Sequence, residues 1–331
     1  MPTSSPAFQS PTPARPERPY IGRFAPSPTG PLHFGSLVSA LASYLHARHA
    51  GGQWLIRMED LDPPREAPGA RQAIEQSLQD HGLIADAPTL YQSDRLDAYA
   101  QLLEQLHTQG LAYRCRCTRR EVQAMGGVYD GRCRSANVPA DEPHAWRLTL
   151  YDLPPGTGSP ATPYRWHDLF QGEQSQNLRL TVGDPIIKRR DGLFAYPLAV
   201  VADDLHQGIT HVIRGADLLP VTAAQSASFA LLGGAPPQYG HVPMAMNRAG
   251  QKLSKQNFAP PLKTSDAAAN LWLALAFLNQ RPSPALRDAP IDRLLSWGIE
   301  HWQPDRISGT ERPASEEGDH DHCAGQPRTP T

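Results

Sequence analysis

The apolar positions of the chain switch between two periods. Tyr20 to Ala25 reads as a short strand, and "QWLIRME" (53–59) as a second. Between them, from Ser36, the residues Leu37, Leu41, Tyr44 and Leu45 fall on one helical face, and Gly51-Gly52 ends that helix. "ARQAIEQSLQDHG" (70–82) predicts another helix, with Ala70, Ile74 and Leu78 in register. Strand, helix, strand, helix with short connections is the opening of a parallel α/β sheet. A helix from about Ser93 to Thr108 follows, then less regular sequence to about Asp184. The α/β alternation then resumes: "YPLAVVADDLHQG" is helical and "THVIRG" a strand. Asp217 opens a helix that runs to Gly233-Gly234, and "GHVPMAM" is a further strand. Residues 20–85 and 185–258 therefore read as two halves of one sheet, separated by an insertion, 86–184, of about a hundred residues. Two short helical patterns occupy 259–304.

Composition changes this picture only at the ends. The first nineteen residues carry six prolines and no apolar segment of the kind a signal peptide needs, so 1–19 reads as a disordered leader. Residues 305–331 read as a disordered acidic tail. With 40% apolar and 19% charged residues the chain is globular. No run of about 18 apolar residues predicts a membrane span, and the expected location is the cytoplasm. The net charge of −2 hides a basic stretch: six arginines lie between Tyr113 and Arg134 against Glu121 and Asp130. Phosphates respond to such a local patch rather than to the total.

Ligands of an open α/β sheet bind at the carboxyl ends of strands, against the N-termini of the following helices. "FAPSPTGPLHFGS" (24–36) stands at that place. Its prolines fix φ, Gly35 permits close backbone approach, and His33 offers a hydrogen-bond donor where a phosphate in transfer builds up negative charge. Alone, the motif is equally a rigid turn that happens to contain a histidine. A second element changes that reading: "GQKLSKQN" (250–257) follows the last predicted strand and carries Lys252 and Lys255. A histidine–glycine loop facing a lysine loop suits attack at an α-phosphate with pyrophosphate leaving.

With both loops in view the chain resembles class I aminoacyl-tRNA synthetases, an α/β fold built on a Rossmann-type parallel sheet. "PLHFGS" is similar to their H-x-G-[HSN] signature and "KLSKQ" to their K-[ML]-S-K-S loop. "RFAPSPTG", "RMEDLDPPR" and "THVIRGADLLPVTAAQ" resemble the glutamate-specific branch. The resemblance spans about 20–260 and makes 20–258 the catalytic domain. Barely seventy residues follow Pro260, where glutamyl-tRNA synthetases continue into a large anticodon-binding part. "GPLHFGSLVSALASYL", "EDLDPPRE" and "KLSKQN", with Gln256 in place of the usual Ser, resemble the shortened glutamyl-queuosine tRNA(Asp) synthetases.

The resemblance implies ATP, L-glutamate and queuosine-containing tRNA(Asp) as partners, with Mg²⁺ riding on ATP. It assigns His33, Gly35, Ser36 and Lys255 to ATP, and His33, Gly35, Lys252 and Lys255 to catalysis. Glutamate presents one ammonium and two carboxylates, so its site needs an acid and at least one arginine. Arg23, Glu59 and Arg214 stand at the carboxyl ends of predicted strands. A guanidinium clamps a carboxylate through two parallel bonds. By resemblance Arg23, Phe24, Ala25, Pro26 and Ser27 form a glutamate-contacting stretch, Glu59 meets the ammonium, and Tyr196 and Arg214 add contacts. Read without it, Glu59 is more readily an N-terminal helix charge or one carboxylate of a surface cluster with Asp60 and Asp62.

Cys115, Cys117 and Cys133 lie within nineteen residues, a spacing that favours tetrahedral zinc if a fourth ligand exists. General chemistry offers His144; the resemblance points to Tyr129, through the family pattern C-x-C-x11-Y-x3-C. Three free thiols are the alternative. A closed site would be structural, and the surrounding arginines would then face RNA. His320, His322 and Cys323 in the tail are incidental. Rival functions are a minimal glutamyl-tRNA synthetase charging the tRNA 3′ end, an inactive RNA-binding paralogue, and a nucleotidyltransferase with a small acceptor. The last of these leaves the glutamate-branch motifs without a purpose.

Overall fold

The computed structural model describes residues 19–150, 163–247, 250–253 and 260–314. Its strands in chain order are β1 (Ile21–Phe24), β2 (Gln53–Met58), β3 (Leu90–Tyr91), β4 (Ala112–Cys115), β5 (Ala145–Leu148) and β6 (Tyr164–Asp168). They continue as β7 (Gly172–Gln176), β8 (Ile186–Lys188), β9 (His211–Gly215), β10 (Gln238–Val242), β11 (Met244–Met246) and β12 (Glu311–Pro313). The helices are α1 (Phe34–His49), α2 (Ala70–Asp80), α3 (Leu96–Thr108), α4 (Arg119–Ala124) and α5 (Leu178–Thr181). After them come α6 (Tyr196–His206), α7 (Leu219–Leu231), α8 (Ala267–Phe277) and α9 (Ile291–Glu300).

The main sheet has the order β3-β2-β1-β9-β10-β6-β7 and is parallel except for the β6–β7 hairpin. β1 sits where the chain order reverses, with β2 and β3 on one side and β9 and β10 on the other. That is the switch point at which an open sheet leaves a crevice beyond its carboxyl ends. α1 packs on β1 and β9 and against α8 and α9. Leu37, Leu41 and Leu45, the residues that predicted the helix, are fully buried there. Gly51, at φ +65°, and Gly52 turn the chain into β2; a Cβ on Gly52 would meet Tyr20 at 2.5 Å.

Three boundaries differ from the sequence reading. The main sheet takes β6 and β7 from the stretch read as insertion, while β8, read as part of the second half, joins β4 and β5 in a separate antiparallel sheet. β7 alternates half-buried and exposed residues, as an edge strand does, so it carries no apolar run to advertise it. "GHVPMAM" is two strands: Pro243 lacks the N–H that a ladder needs, and beyond it β11 leaves the main sheet to pair with β12. β12 lies in the stretch read as disordered from 305; residues 305–314 are ordered, and Ile307 and Trp302 are buried in the main core. Residues 1–18 and 315–331, which include His320, His322 and Cys323, lie outside the described residues.

Candidate active site

The residues from Arg23 to Ser27 carry β1 over the switch point and line a cavity of about 240 Å³. The same cavity takes His33, Gly35 and Ser36 from the start of α1, Glu59 from the end of β2, and Tyr196 from the start of α6. Arg214 enters from β9, and Asp217 and Lys252 close another side. Segments as far apart as 23 and 252 meet here because parallel strands deliver their carboxyl ends to one edge. Lys255 and Gln256 lie outside the described residues.

His33 is the N-cap of α1, in extended backbone, and its Nδ1 accepts the Ser36 N–H at 3.3 Å. The helix therefore begins at Phe34, ahead of the apolar pattern that starts with Leu37. Because Nδ1 accepts, the imidazole proton belongs on Nε2, 3.1 Å from the Ser36 hydroxyl. A Cβ on Gly35 would stand 3.3 Å from the His33 ring and 3.4 Å from the Leu253 carbonyl, so the glycine lets the histidine motif and the lysine loop close on each other. Leu253 N–H bonds the Ala245 carbonyl at 2.7 Å, and Lys252 Nζ bonds Asp217 Oδ2 at 2.7 Å.

The floor of the cavity is a buried charge network. Arg23 grips Asp204 with Nε and Nη2, at 3.2 and 3.3 Å, and Arg57 meets the same carboxylate at 2.7 Å. Burial works against ionisation of Asp204, but the two guanidiniums hold its carboxyl below the ordinary range. Glu59 lies 3.7 Å from Arg57 Nη2. Burial, the largest influence, raises its pKa, against the pull of Arg57 and Arg23. A cationic ligand brings such a carboxylate back to its charged form. Arg214 differs from the other two arginines. Among the described residues its hydrogen-bond partners are neutral: His241 at 3.0 Å, Gln225 at 2.7 Å, Thr222 at 2.9 Å, the Leu218 carbonyl at 3.3 Å and Tyr196 at 3.5 Å. A 4% exposed guanidinium held only by neutral groups favours an anionic ligand.

The suggested carboxylate cluster of Glu59, Asp60 and Asp62 does not form. Asp60 is buried and accepts Ser93 N–H and hydroxyl at 2.8 and 2.7 Å. Asp62 is turned toward Arg65 and Arg189. Sequence reading missed Asp204, Arg57 and Asp217. The first two carried a signal: acids at 203 and 204 in an apolar helix pattern, and an arginine inside an apolar strand, are charges that burial must pair.

The second candidate site lies in the insertion. The Sγ atoms of Cys115, Cys117 and Cys133 lie within 4.8 Å of one another and could hold a metal ion. Tyr129 points its hydroxyl into this group. It accepts the Cys133 N–H at 2.9 Å, and its pKa is raised by burial and by hydrogen bonding to the Cys133 and Cys115 thiols. Crowding of sulfurs in a dry setting pushes Cys117 up to about 12, by burial first and its Cys133 contact next. A bound cation reverses that crowding, so the donor set fits a thiolate-binding metal. His144 instead bonds the Glu142 carbonyl and packs on Trp146. Asp184 pins the insertion from below, accepting from Tyr113, Arg134 and Leu150. Arg134 and Arg132 are thereby tied to Asp184 and Asp130, Arg116 faces Glu142 at 3.7 Å, and Arg114 lies over Trp146. The basic stretch is less available to RNA than its count suggests.

Three comparisons bear on this geometry. The family model for the catalytic domain of class I tRNA synthetases (E and Q) matches residues 21–138 and 159–278. A Pseudomonas aeruginosa protein named glutamyl-Q tRNA(Asp) synthetase is 50% identical over 288 residues, covering 87% of this chain and 95% of its own. A Serratia proteamaculans protein of the same name is 47% identical over 295 residues, covering 89% and 94%. Among solved structures, a glutamate tRNA ligase from Elizabethkingia meningosepticum in complex with its amino acid aligns with a TM-score of 0.73. It is 26% identical, and the match covers 91% of this chain and 68% of that one. No helix among the described residues is long and apolar enough to cross a membrane. With His33, Gly35 and Lys252 lining one switch-point cleft, the chain, matched along most of its length by these relatives, belongs to the glutamyl-Q tRNA(Asp) synthetase family of class I tRNA synthetases, which are ligases.

Proposed function

We propose that the protein activates L-glutamate with ATP and transfers the glutamyl group to the queuosine base in the anticodon of tRNA(Asp), in the cytoplasm. The observation that carries this reading is the joint lining of one cavity by His33, Lys252, Glu59 and the arginines 23 and 214. It pairs a phosphate-transfer apparatus with a buried site for an amino acid that has two carboxylates. The choice of acceptor rests on the relatives named for it at 47–50% identity.

In the first step the α-carboxylate of glutamate attacks the α-phosphate of ATP, which carries Mg²⁺, and pyrophosphate leaves. Glu59 takes the substrate ammonium. The long bonds of Arg214 to Tyr196 and Leu218, at 3.5 and 3.3 Å, are the ones a carboxylate displaces. Arg23 has given Nε and Nη2 to Asp204, so its Nη1 is the group for a ligand. His33 Nε2 and the backbone at the start of α1 meet the charge that develops on the α-phosphate, and Gly35 and Ser36 admit the nucleotide. Lys252 exchanges Asp217 for a phosphate oxygen, with Lys255 as the second cation on the leaving group. In the second step a hydroxyl of the queuosine ring attacks the activated carbonyl and AMP departs. No covalent nucleophile takes part; the chemistry rests on position and charge.

The test supplies purified protein with ATP, labelled glutamate and two tRNA pools, one grown with queuosine and one without. Label confined to the queuosine-containing tRNA(Asp) is the expected result. Equal label on both pools, residing at the 3′ end of tRNA(Glu), replaces this reading with that of a minimal glutamyl-tRNA synthetase. The Cys115, Cys117, Tyr129 and Cys133 group holds one structural Zn²⁺ in this proposal. Metal analysis is expected to give about one zinc per chain, and Cys117→Ser to lose most of it with a fall in melting temperature of several degrees. A zinc-free preparation with unchanged stability removes the metal from the account.

A further inference from the structure

Behind Arg214 a line of buried polar groups crosses three strands. Arg214 of β9 pairs in register with His241 of β10, and Asp168 ends β6 beside it. Asp168 and His241 are fully buried and Arg214 is 4% exposed. A guanidinium can only donate, so its Nε–H, 3.0 Å from His241 Nε2, fixes that nitrogen as an acceptor. The ring proton is then on Nδ1, which donates to Asp168 Oδ2 at 2.5 Å. Asp168 Oδ1 is anchored separately by three backbone N–H groups, those of His241, Phe170 and Gln171, at 3.0, 3.1 and 3.1 Å. Burial also keeps His241 below its ordinary pKa, hence neutral. None of these atoms touches the cavity except through Arg214.

We propose that Asp168 and His241 are positioning residues: Asp168 selects the His241 tautomer, and that tautomer holds Arg214 in the orientation that binds the substrate carboxylate. This inference rests on the reading of the cavity as a glutamate site. Its distinctive consequence lies in Asp168→Asn. The three N–H groups on Oδ1 keep the amide oxygen of Asn at that position, so its NH₂ must face His241 Nδ1. The ring then takes its proton on Nε2, which turns to Thr222 Oγ1, 3.1 Å away. Arg214 Nε–H loses its acceptor and faces a donor instead, so the guanidinium is pushed from its present orientation and only Nη1 and Nη2 remain held, by Gln225 and Thr222. His241→Gln, in contrast, can present its amide oxygen to Arg214 in place of Nε2 while its NH₂ donates to Asp168, and His241→Leu can do neither.

The experiment measures glutamate binding by calorimetry and the KM for glutamate and for ATP in tRNA glutamylation, alongside melting temperatures. Asp168→Asn is expected to weaken glutamate binding and raise its KM by about tenfold, with the KM for ATP within about twofold of the parent. His241→Gln is expected to stay close to the parent, whereas His241→Leu, which offers Arg214 no acceptor, is expected to match Asp168→Asn, and Asp168→Asn added to His241→Leu to cost nothing further. An unchanged glutamate KM in Asp168→Asn overturns the inference, as does an equal loss from Asp168→Asn in the parent and in the His241→Leu background. Should Asp168→Asn not fold, His241→Leu against His241→Gln decides: a weak Leu variant beside a near-normal Gln variant supports the inference, and equal values overturn it. If the unaltered protein binds no glutamate at all, the proposed function fails and takes this inference with it. Glutamate binding that is insensitive to Asp168 fails the inference alone.

Discussion

Asp204→Ala is expected to lower the unfolding free energy by about 3–5 kcal/mol and to abolish measurable glutamate activation. Two guanidiniums depend on that carboxylate: Arg23, 4% exposed, and Arg57, fully buried. Removing it leaves two buried cations with Glu59 as a neighbouring anion 3.7 Å from Arg57, and Glu59 is the group proposed to take the substrate ammonium. The variant therefore loses stability and misdirects its ligand-binding acid at once. Asp204→Asn keeps an acceptor without the charge and should fall between. The pH dependence follows from the direction of the Asp204 shift. Its folded pKa lies below the ordinary carboxyl value of about 3.9, so its stabilisation is complete above that value and is lost as pH falls through the folded pKa. The gap between the parent and Asp204→Ala is thus flat from about pH 8 to pH 5 and closes only in stronger acid. Urea unfolding at several pH values measures it; a gap under about 1 kcal/mol at neutral pH means that the network is hydrated or slack, and the charge argument for the cavity floor fails.

What was legible in the chain was what repeats or what must sit at a strand end. The alternation of periods gave β1, α1, β2 and α2 and the return at α6, β9 and α7, because each buries an apolar stripe against the sheet. Strand ends gave Arg23, Glu59 and Arg214, and the structure brings them into one cavity with His33 and Lys252. The hairpin of β6 and β7 was hidden for the opposite reason: an edge hairpin reading "YRWHD" and "GEQSQ" needs little apolar surface, since one face stays wet. The pairing of β11 with β12 joins residues more than sixty apart, through backbone bonds to which side-chain pattern is blind. The supporting shell was illegible too. His241, Thr222 and Gln225 come from two different elements, and nothing local in the sequence distinguishes such a polar residue that braces an arginine from one that faces solvent, whereas Asp204 stood out only as an acid in an apolar helix pattern. In the insertion, cysteine spacing located the three thiols, whereas the pairing of its arginines with Asp184, Asp130 and Glu142 required the fold.

His33→Ala is expected to slow glutamyl-adenylate formation by about 10²–10³-fold, the effect typical of removing one donor from a preorganised anion-stabilising group. The substitution also removes a helix cap. Nδ1 of His33 accepts the Ser36 N–H, and loss of a side-chain cap costs about 1 kcal/mol. A slow, less stable Ala variant alone could therefore be explained by fraying of α1, whose first turn borders the cavity. His33→Asn separates the two roles. Asparagine is a good N-cap and restores the bond to Ser36, but its short amide does not reach where the imidazole Nε2 stands. If His33 acts on the phosphate, Asn recovers the melting temperature of the parent and leaves adenylate formation slow, with the KM for glutamate little changed. The lysine loop gives an internal control, because Lys252 lines the same cavity bonded to Asp217 and caps no helix, so its loss should not lower the melting temperature in the same way. Rates for Asn that return with stability would make His33 a cap and nothing more, and would shift the burden of charge stabilisation at the α-phosphate to the backbone of α1 and the two lysines.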